Sequence, residues 1–327
     1  MRRIVVATHG HCFDGLCSAV LFTKFYRHLH PGQELDFRYT GAGYGPGQTG
    51  VDPQILDGDE NAILDYRFSQ SPKLTWYFDH HVSAFPSAED RTVYEASIGQ
   101  KAEADRHMFH DGTYSSCTKL IADVGKRSFG FDVAPLEHLV HWADIIDAAR
   151  FPSAQMAVDR TEAALQLMTV VEHHGDDAML TKMVPRLLEE PLEVVARSAD
   201  VQQAYGPLRD GQQGFVDLVK SHAVVRGNVV LVDLSDKEIE VAAKFVTYAL
   251  YPEQAYSVLL TRSPKKCKIS LGFNPWCGQT RTHDIAKMCE RYGGGGHPVV
   301  GAISLGADQL AKAKEIASTL ADELSVR

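Results

Sequence analysis

The chain of 327 residues has little to draw it to a membrane, to an oxidising compartment or to long nucleic acid. Its six cysteines, Cys12, Cys17, Cys117, Cys267, Cys277 and Cys289, are scattered and form no CxxC pair. That spacing argues against a disulfide framework and for free thiols in a reducing compartment. No run approaches the ~18 apolar residues of a membrane span, and the apolar stretch after Met1 stops at His9, too short for a secretory leader. A cytoplasmic protein without membrane contact is expected. Basic excess is lacking too: 33 Lys and Arg against 42 Asp and Glu leave a net charge of −9, with pI near 5.9. Nothing of the electrostatic footprint that holds long duplex nucleic acid is present. A small anionic substrate fits such a chain if metal supplies local positive charge.

What the chain does have is a set of ligand-bearing strand ends. Trp76-Tyr77-Phe78 reads as a buried strand and runs straight into Asp79-His80-His81. Arg3–Thr8 is a second apolar run, ending in His9-Gly10-His11-Cys12-Phe13-Asp14-Gly15, and Asn61–Leu64 is a third, ending in Asp65. One Asp-His-His on its own would more often sit on a wet surface. In a parallel sheet, however, the carboxyl ends of neighbouring strands lie side by side and form the ligand crevice, so three such ends would bring His9, Asp14, Asp65, Asp79, His80 and His81 together. His141, Asp144 and Asp147, spaced by three, share roughly one helix face and offer a further ligand. Taken alone that face would more often be solvated. Oxygen and imidazole donors favour Mn²⁺ or Mg²⁺ over structural zinc.

The alternation of strand and helix in the first part signals an α/β domain. Leu16–His30 reads as its first helix, Gly41–Gly47 as a loop, and 83–115 as a polar, irregular excursion. The segment 134–205 looks helical, including Leu136–Asp147 and Glu162–His173, and the glycines of Gly206–Gly214 suggest a turn or hinge. Beyond it, strands are expected over Asn228–Leu234, Ser257–Thr261 and Lys268–Phe273, and helices over Ile239–Leu250 and Asp308–Leu324. Between an expected helix (Asp284–Arg291) and strand (Val299–Leu305) lies Gly293-Gly294-Gly295-Gly296-His297, where backbone amides could approach an anion closely. A glycine run alone is usually a flexible turn.

Together and in this order, residues 8–15, Leu64-Asp65-Tyr66, Asp79-His80-His81, Ala143-Asp144 and Gly293–His297 resemble the DHH/DHHA1 phosphoesterase superfamily over nearly the whole chain. The resemblance implies a two-domain α/β protein, with a parallel-sheet DHH domain over 1–205, a linker over 206–224 and a smaller DHHA1-like domain over 225–327. It implies one or two Mn²⁺ (or Mg²⁺) ions, with Asp65 bridging, Asp14, His80 and Asp144 on one ion and His9 on the other. Asp147 competes with the favoured Asp144. Asp79 and His81 would orient ligands or contact the scissile phosphate, and Gly293–Gly296 with His297 would hold a nucleotide. Two positions depart from the pattern. Cys12 stands where many members have aspartate, which predicts a depleted metal site, and Ser270-Leu271-Gly272 lacks the arginine of nucleotide-binding members, which shifts substrate contacts to Arg262, Asn274 or Arg281.

The expectation is a metal-dependent phosphoesterase acting on a short oligonucleotide or small nucleotide. The alternatives are a degenerate, non-catalytic nucleotide-binding regulator and an exopolyphosphatase, against which the glycine run speaks. A homodimer is compatible with the sequence.

Overall fold

The computed structural model describes residues 1–43, 50–239 and 245–325, and the chain divides into two compact units, residues 1–151 with 162–205, and residues 152–161 with 206–327. The first is built on five parallel strands in the order β2-β1-β3-β4-β5. These are β1 (Arg2–His9), β2 (Leu35–Ala42), β3 (Glu60–Leu64), β4 (Trp76–Asp79) and β5 (Met108–His110), with α1 (Phe13–Leu29) after β1, α2 (Ala88–Ile98) before β5, and α3 (Cys117–Phe129) and α4 (Glu137–Asp147) behind. Ile4, Val5, Val6 and Ala7 are all fully buried, as expected of a parallel strand covered on both faces. The pleat shows in β4. Trp76 and Phe78 meet Phe25 of α1, while Tyr77 between them meets Phe68 and Tyr94 of α2 on the opposite face. Burying such side chains contributes about 1.5–3 kcal/mol each.

The segment 83–115 is more ordered than its polarity suggests. It holds α2, started by a capping box between Ser87 and Asp90, and edge strand β5. The edge strand β2, with its alternating Leu35, Phe37 and Tyr39, also went unread in the sequence. Helix α5 (Ala154–Asp159) belongs to the second unit, and α6 (Ala163–His174), α7 (Asp177–Glu189) and α8 (Leu192–Ala196) return to the first.

The expected hinge is a helix. α9 runs unbroken from Ala199 to His222 through Gly206, Pro207, Gly211 and Gly214. Its reason is a stripe of inward residues (Val201, Tyr205, Leu208, Gln212, Val216, Val219) at helical spacing. The carbonyl that Pro207 leaves without a helical donor belongs to Gln203, which is exposed to water. The chain passes from one unit to the other inside this helix, so the linker expected over 206–224 is replaced by helix through His222.

The second unit is a mixed sheet in the order β10-β11-β9-β8-β7-β6. Its elements are β6 (Ala223–Arg226), β7 (Val229–Glu238), α10 (Val246–Leu250), β8 (Tyr256–Arg262), β9 (Lys266–Phe273), α11 (Ile285–Glu290), β10 (Gly295–His297), β11 (Val300–Gly306) and α12 (Leu310–Ser325). Among the described residues of this sheet, only β7 and β8 pair in parallel. Of the helix expected over Ile239–Leu250, Val246–Leu250 is observed and 240–244 lie outside the described residues, as do 44–47 of the expected glycine loop. Among the described residues no helix is long and apolar enough to cross a membrane.

Candidate metal centre

The carboxyl ends of β1, β3 and β4 adjoin in the sheet order, so His9, Asp65 and Asp79 to His81 meet at one edge. The turn from β1 into α1 is tightly built. His11 has φ 55 and its amide donates to the Gly175 carbonyl, and a side chain at Gly15 would strike the His9 carbonyl oxygen. That turn starts α1 at once, with Asp14 in its first turn. Asp65 follows β3 with φ 54, a left-handed conformation that aspartate tolerates better than most residues but that still carries strain.

Asp14 is held by α3. Its carboxylate accepts the amides of Cys117 at 2.7 Å and Thr118 at 3.0 Å, the open donors of a helix N-terminus. His80 donates Nδ1–H to the Tyr114 carbonyl at 3.1 Å, since a carbonyl can only accept, and this leaves Nε2 turned to the carboxylates. Around that nitrogen stand Asp147 Oδ2 at 3.2 Å, Asp65 Oδ1 at 3.4 Å and Asp14 Oδ2 at 3.8 Å. His9 Nδ1 lies 3.6 Å from Asp65 Oδ2. Asp65 is 1% exposed and neither of its oxygens has a hydrogen-bond partner; His80 Nε2 has none either. Buried, unpartnered donors of this kind are costly unless something neutralises them. Three overlapping groups, His9-Cys12-Asp65, Asp65-His80-His81 and Asp14-His80-Asp147, each present ligand atoms within 4.8 Å of one another. These residues fit one or two divalent cations, with Asp65 common to two groups.

The charged groups of the pocket act strongly on one another. Burial, with Asp65 and Asp147 as neighbours, raises the Asp14 carboxyl well above its ordinary value, and burial and Asp65 push Asp147 up to about 6. Burial opposes ionisation of Asp65, but the imidazoles of His80 and His9, then His81, outweigh it and bring that carboxyl down to about 2. Burial likewise opposes a charged His80, yet Asp65, Asp14 and Asp147 raise it to about 10. The Cys12 thiol is pushed up by burial, then by Asp65 and Asp14.

Asp79 is not a ligand in this arrangement. Its Oδ1 accepts from His81 Nδ1 at 2.7 Å and from the amides of His80 and His81, and its Oδ2 accepts from the Tyr77 hydroxyl. It orients the two histidines. Asp144, favoured in the sequence reading, belongs to none of these groups: its carboxylate accepts from Ser115 and Ser116, while Asp147 reaches His80. His141 is exposed on α4 and belongs to none of these groups.

In the second unit, Gly295, Gly296 and His297 border a cavity of about 570 Å³ whose wall includes Phe215, Phe245, Tyr248 and Lys268. Of the glycine segment, Gly295–His297 form strand β10, paired antiparallel with β11, and Gly293 lies in the turn before it, with Gly294 between. Gly293 has φ 74, and a side chain at Gly294 or Gly296 would strike the carbonyl of Ala302 or Val300; at Gly295 it would meet open space. The three alternative contacts are not brought here. Asn274 is fully buried and bonded to the carbonyls of Pro252 and Gln254 and the amide of Trp276. Arg281 donates to the carbonyls of His283 and Pro298, and Arg262 lies outside the cavity wall with its Nε buried and unpartnered. Lys268 and Tyr248 were not read from the sequence; the period-two exposure of β9, with Lys268 between buried Cys267 and Ile269, was the available signal for the first.

Sheet order, metal-type donors at three strand ends and a second unit with a glycine-bearing edge strand together make a two-sheet α/β fold. Solved structures share that fold along the whole chain. A pGpG-specific phosphodiesterase, PggH from Vibrio cholerae, superposes with a TM-score of 0.66 at 16% identity, covering 99% of both chains. A DHH domain described as a member of the s1p family of ribosomal proteins gives a TM-score of 0.59 at 14% identity, covering 100% of this chain and 87% of its own. No protein-family model matches, and no curated protein is similar.

Proposed function

We propose that the chain is a divalent-metal-dependent phosphoesterase that hydrolyses short oligonucleotides or small nucleotides. The observation that carries this is Asp65, buried with neither oxygen hydrogen-bonded, among His9, His80, Asp14 and Asp147. When bound, Mn²⁺ or Mg²⁺ would supply an acidified water and positive charge against the phosphoryl oxygens. The residues have distinct tasks. Asp14, Asp65, His80 and Asp147 would hold one ion, and His9 with Asp65 a second. Asp79 fixes the His81 ring, so that His81, half-buried and raised in pKa by Asp79 and Asp65 against the effect of burial, is placed to carry a proton to the leaving oxygen. In the second unit, the aromatic wall of Phe215, Phe245 and Tyr248 suits a base, and Lys268 and His297 suit its phosphate.

Two further observations favour a small substrate: the net charge of −9 and the likeness in fold to a phosphodiesterase specific for the dinucleotide pGpG. A panel of pGpG, di- to pentanucleotides, phosphoadenosine phosphate, cyclic dinucleotides and polyphosphate, assayed with Mn²⁺ and with Mg²⁺, tests the reading. Turnover of nucleotides of up to five residues supports it. Inertness toward every compound while metal is bound would return the chain to the degenerate, nucleotide-binding alternative.

A further inference from the structure

We propose that Cys12 is itself a metal ligand, and that with His9 and Asp65 it makes one side of the centre selective for borderline divalent ions of the zinc and cobalt class over Mn²⁺ and Mg²⁺. The proposal rests on the phosphoesterase reading only in taking this pocket as a metal centre. It reverses the sequence expectation, in which Cys12 marked a lost ligand.

Two observations carry it. A ligand atom of His9, the Cys12 sulfur and an Asp65 oxygen lie within 4.8 Å of one another, so the thiol is turned into the cluster. Asp65, in the same group, is 1% exposed and neither of its oxygens accepts a hydrogen bond, which favours a cation at this point. The backbone of Cys12 is held in place by the left-handed His11 and by the hydrogen bonds of Gly10 to Ala42 and His11 to Gly175.

The two sides of the centre consequently differ in softness. Asp14, His80 and Asp147 present oxygen and imidazole, whereas His9, Cys12 and Asp65 present nitrogen, sulfur and oxygen, a donor set that suits Zn²⁺, Co²⁺ or Fe²⁺. A centre with two unlike ions follows, rather than one ion and a gap.

The test is a titration of the metal-free full chain with Co²⁺, following bound cobalt by equilibrium dialysis and thiolate-to-cobalt charge transfer by near-ultraviolet absorption. The expected result is a charge-transfer band in the parent that disappears in Cys12→Ser and persists in Asp147→Asn. Cys12→Asp should lose the band and shift competition between Mn²⁺ and Zn²⁺ toward Mn²⁺ by about tenfold or more. The parent alone also decides the matter, because bound cobalt should protect Cys12 from iodoacetamide in a peptide map. Bound cobalt with no band, a band that survives Cys12→Ser, or Cys12 alkylated equally with and without cobalt would overturn the proposal and leave the metal centre standing. A chain that binds no cobalt, manganese or zinc would overturn both readings.

Discussion

The two units solve opposite problems at their functional edges. In the first, polar atoms are buried past what the protein itself satisfies: Asp65 and His80 keep unpartnered atoms at a site where three carboxylates crowd one imidazole. In the second, the cavity wall combines aromatic, aliphatic and hydroxyl side chains with glycine backbone, and Asn274, one of three polar residues the sequence pointed to, is spent on backbone hydrogen bonds away from it. Unsatisfied polarity calls for an ion, and a shaped apolar wall calls for an organic ligand. The comparison separates a residue's loss of chemistry from its loss of recognition, and each side can be broken on its own.

The largest effect should come from the carboxylate common to two of the ligand groups. Asp65→Ala is expected to lower kcat/KM by on the order of a thousandfold or more and to empty the centre, read by turnover and by metal analysis of folded protein. A variant that turns over at the parent's rate would break the first half of the comparison. Chelation comes next. Removing the metal should abolish turnover and lower thermal stability, by about 2.7 kcal/mol relative to protein held at a hundred times the dissociation constant, and restored Mn²⁺ or Zn²⁺ should recover both.

The second unit should respond differently. His297→Ala is expected to cost about ten- to a hundredfold in kcat/KM, the loss of a hydrogen bond to a charged group, with metal content unchanged. Gly295→Val sharpens this, since a side chain there meets nothing in the fold and any loss reports on a ligand's approach. Equal turnover in both variants would remove the cavity from the substrate's path. Within the first unit, Asp147→Asn should lower metal content, whereas Asp144→Asn should spare it and cost about 1 kcal/mol of stability through its serine partners.

The smallest effect is expected at Asp200. Asp200 accepts from Ser198 at 2.7 Å and from Arg186, and pairs with Lys182; the bond from Lys182 first, then that from Ser198, hold its carboxyl well below the usual range. A depressed carboxylate stabilises the fold above its unfolded pKa and loses that contribution as pH falls through its folded one. Asp200→Asn should therefore cost about 0.5 kcal/mol or less near neutrality, given its exposure and screening by salt, and nothing in strong acid. A penalty that grows on acidification would contradict the assignment.

How much of this was legible in the sequence follows from the residues involved. The ends of β1, β3 and β4 could be read because an unbroken apolar run stops abruptly at Asp or His. Asp144 and Asp147 could not be ranked, because three residues apart on one helix they share a face; the serines before α3, which claim Asp144, are 28 and 29 positions away in the chain. Cys12 was read as a vacancy because type suggested loss, where position in the turn puts its sulfur among ligands. The glycines of α9 hid a helix that its inward stripe, counted first, would have revealed. Of Gly293 to Gly296, the turn and the pairing with β11 account for three, and only the fold shows that Gly295 is the one without a structural reason.

The short helix α5 has a practical consequence for anyone cutting the chain. Val158 on α5 belongs to the same apolar cluster as Val216, Val219 and Val246, and the Gln212 side chain donates to the Val158 carbonyl, yet 44 residues of the other unit intervene before Gly206. No single scissor point yields the second unit intact. A fragment begun at residue 206 leaves that cluster uncovered and should self-associate on a sizing column, while the same fragment with residues 152–161 fused ahead of it, or supplied as a peptide, should run as a monomer.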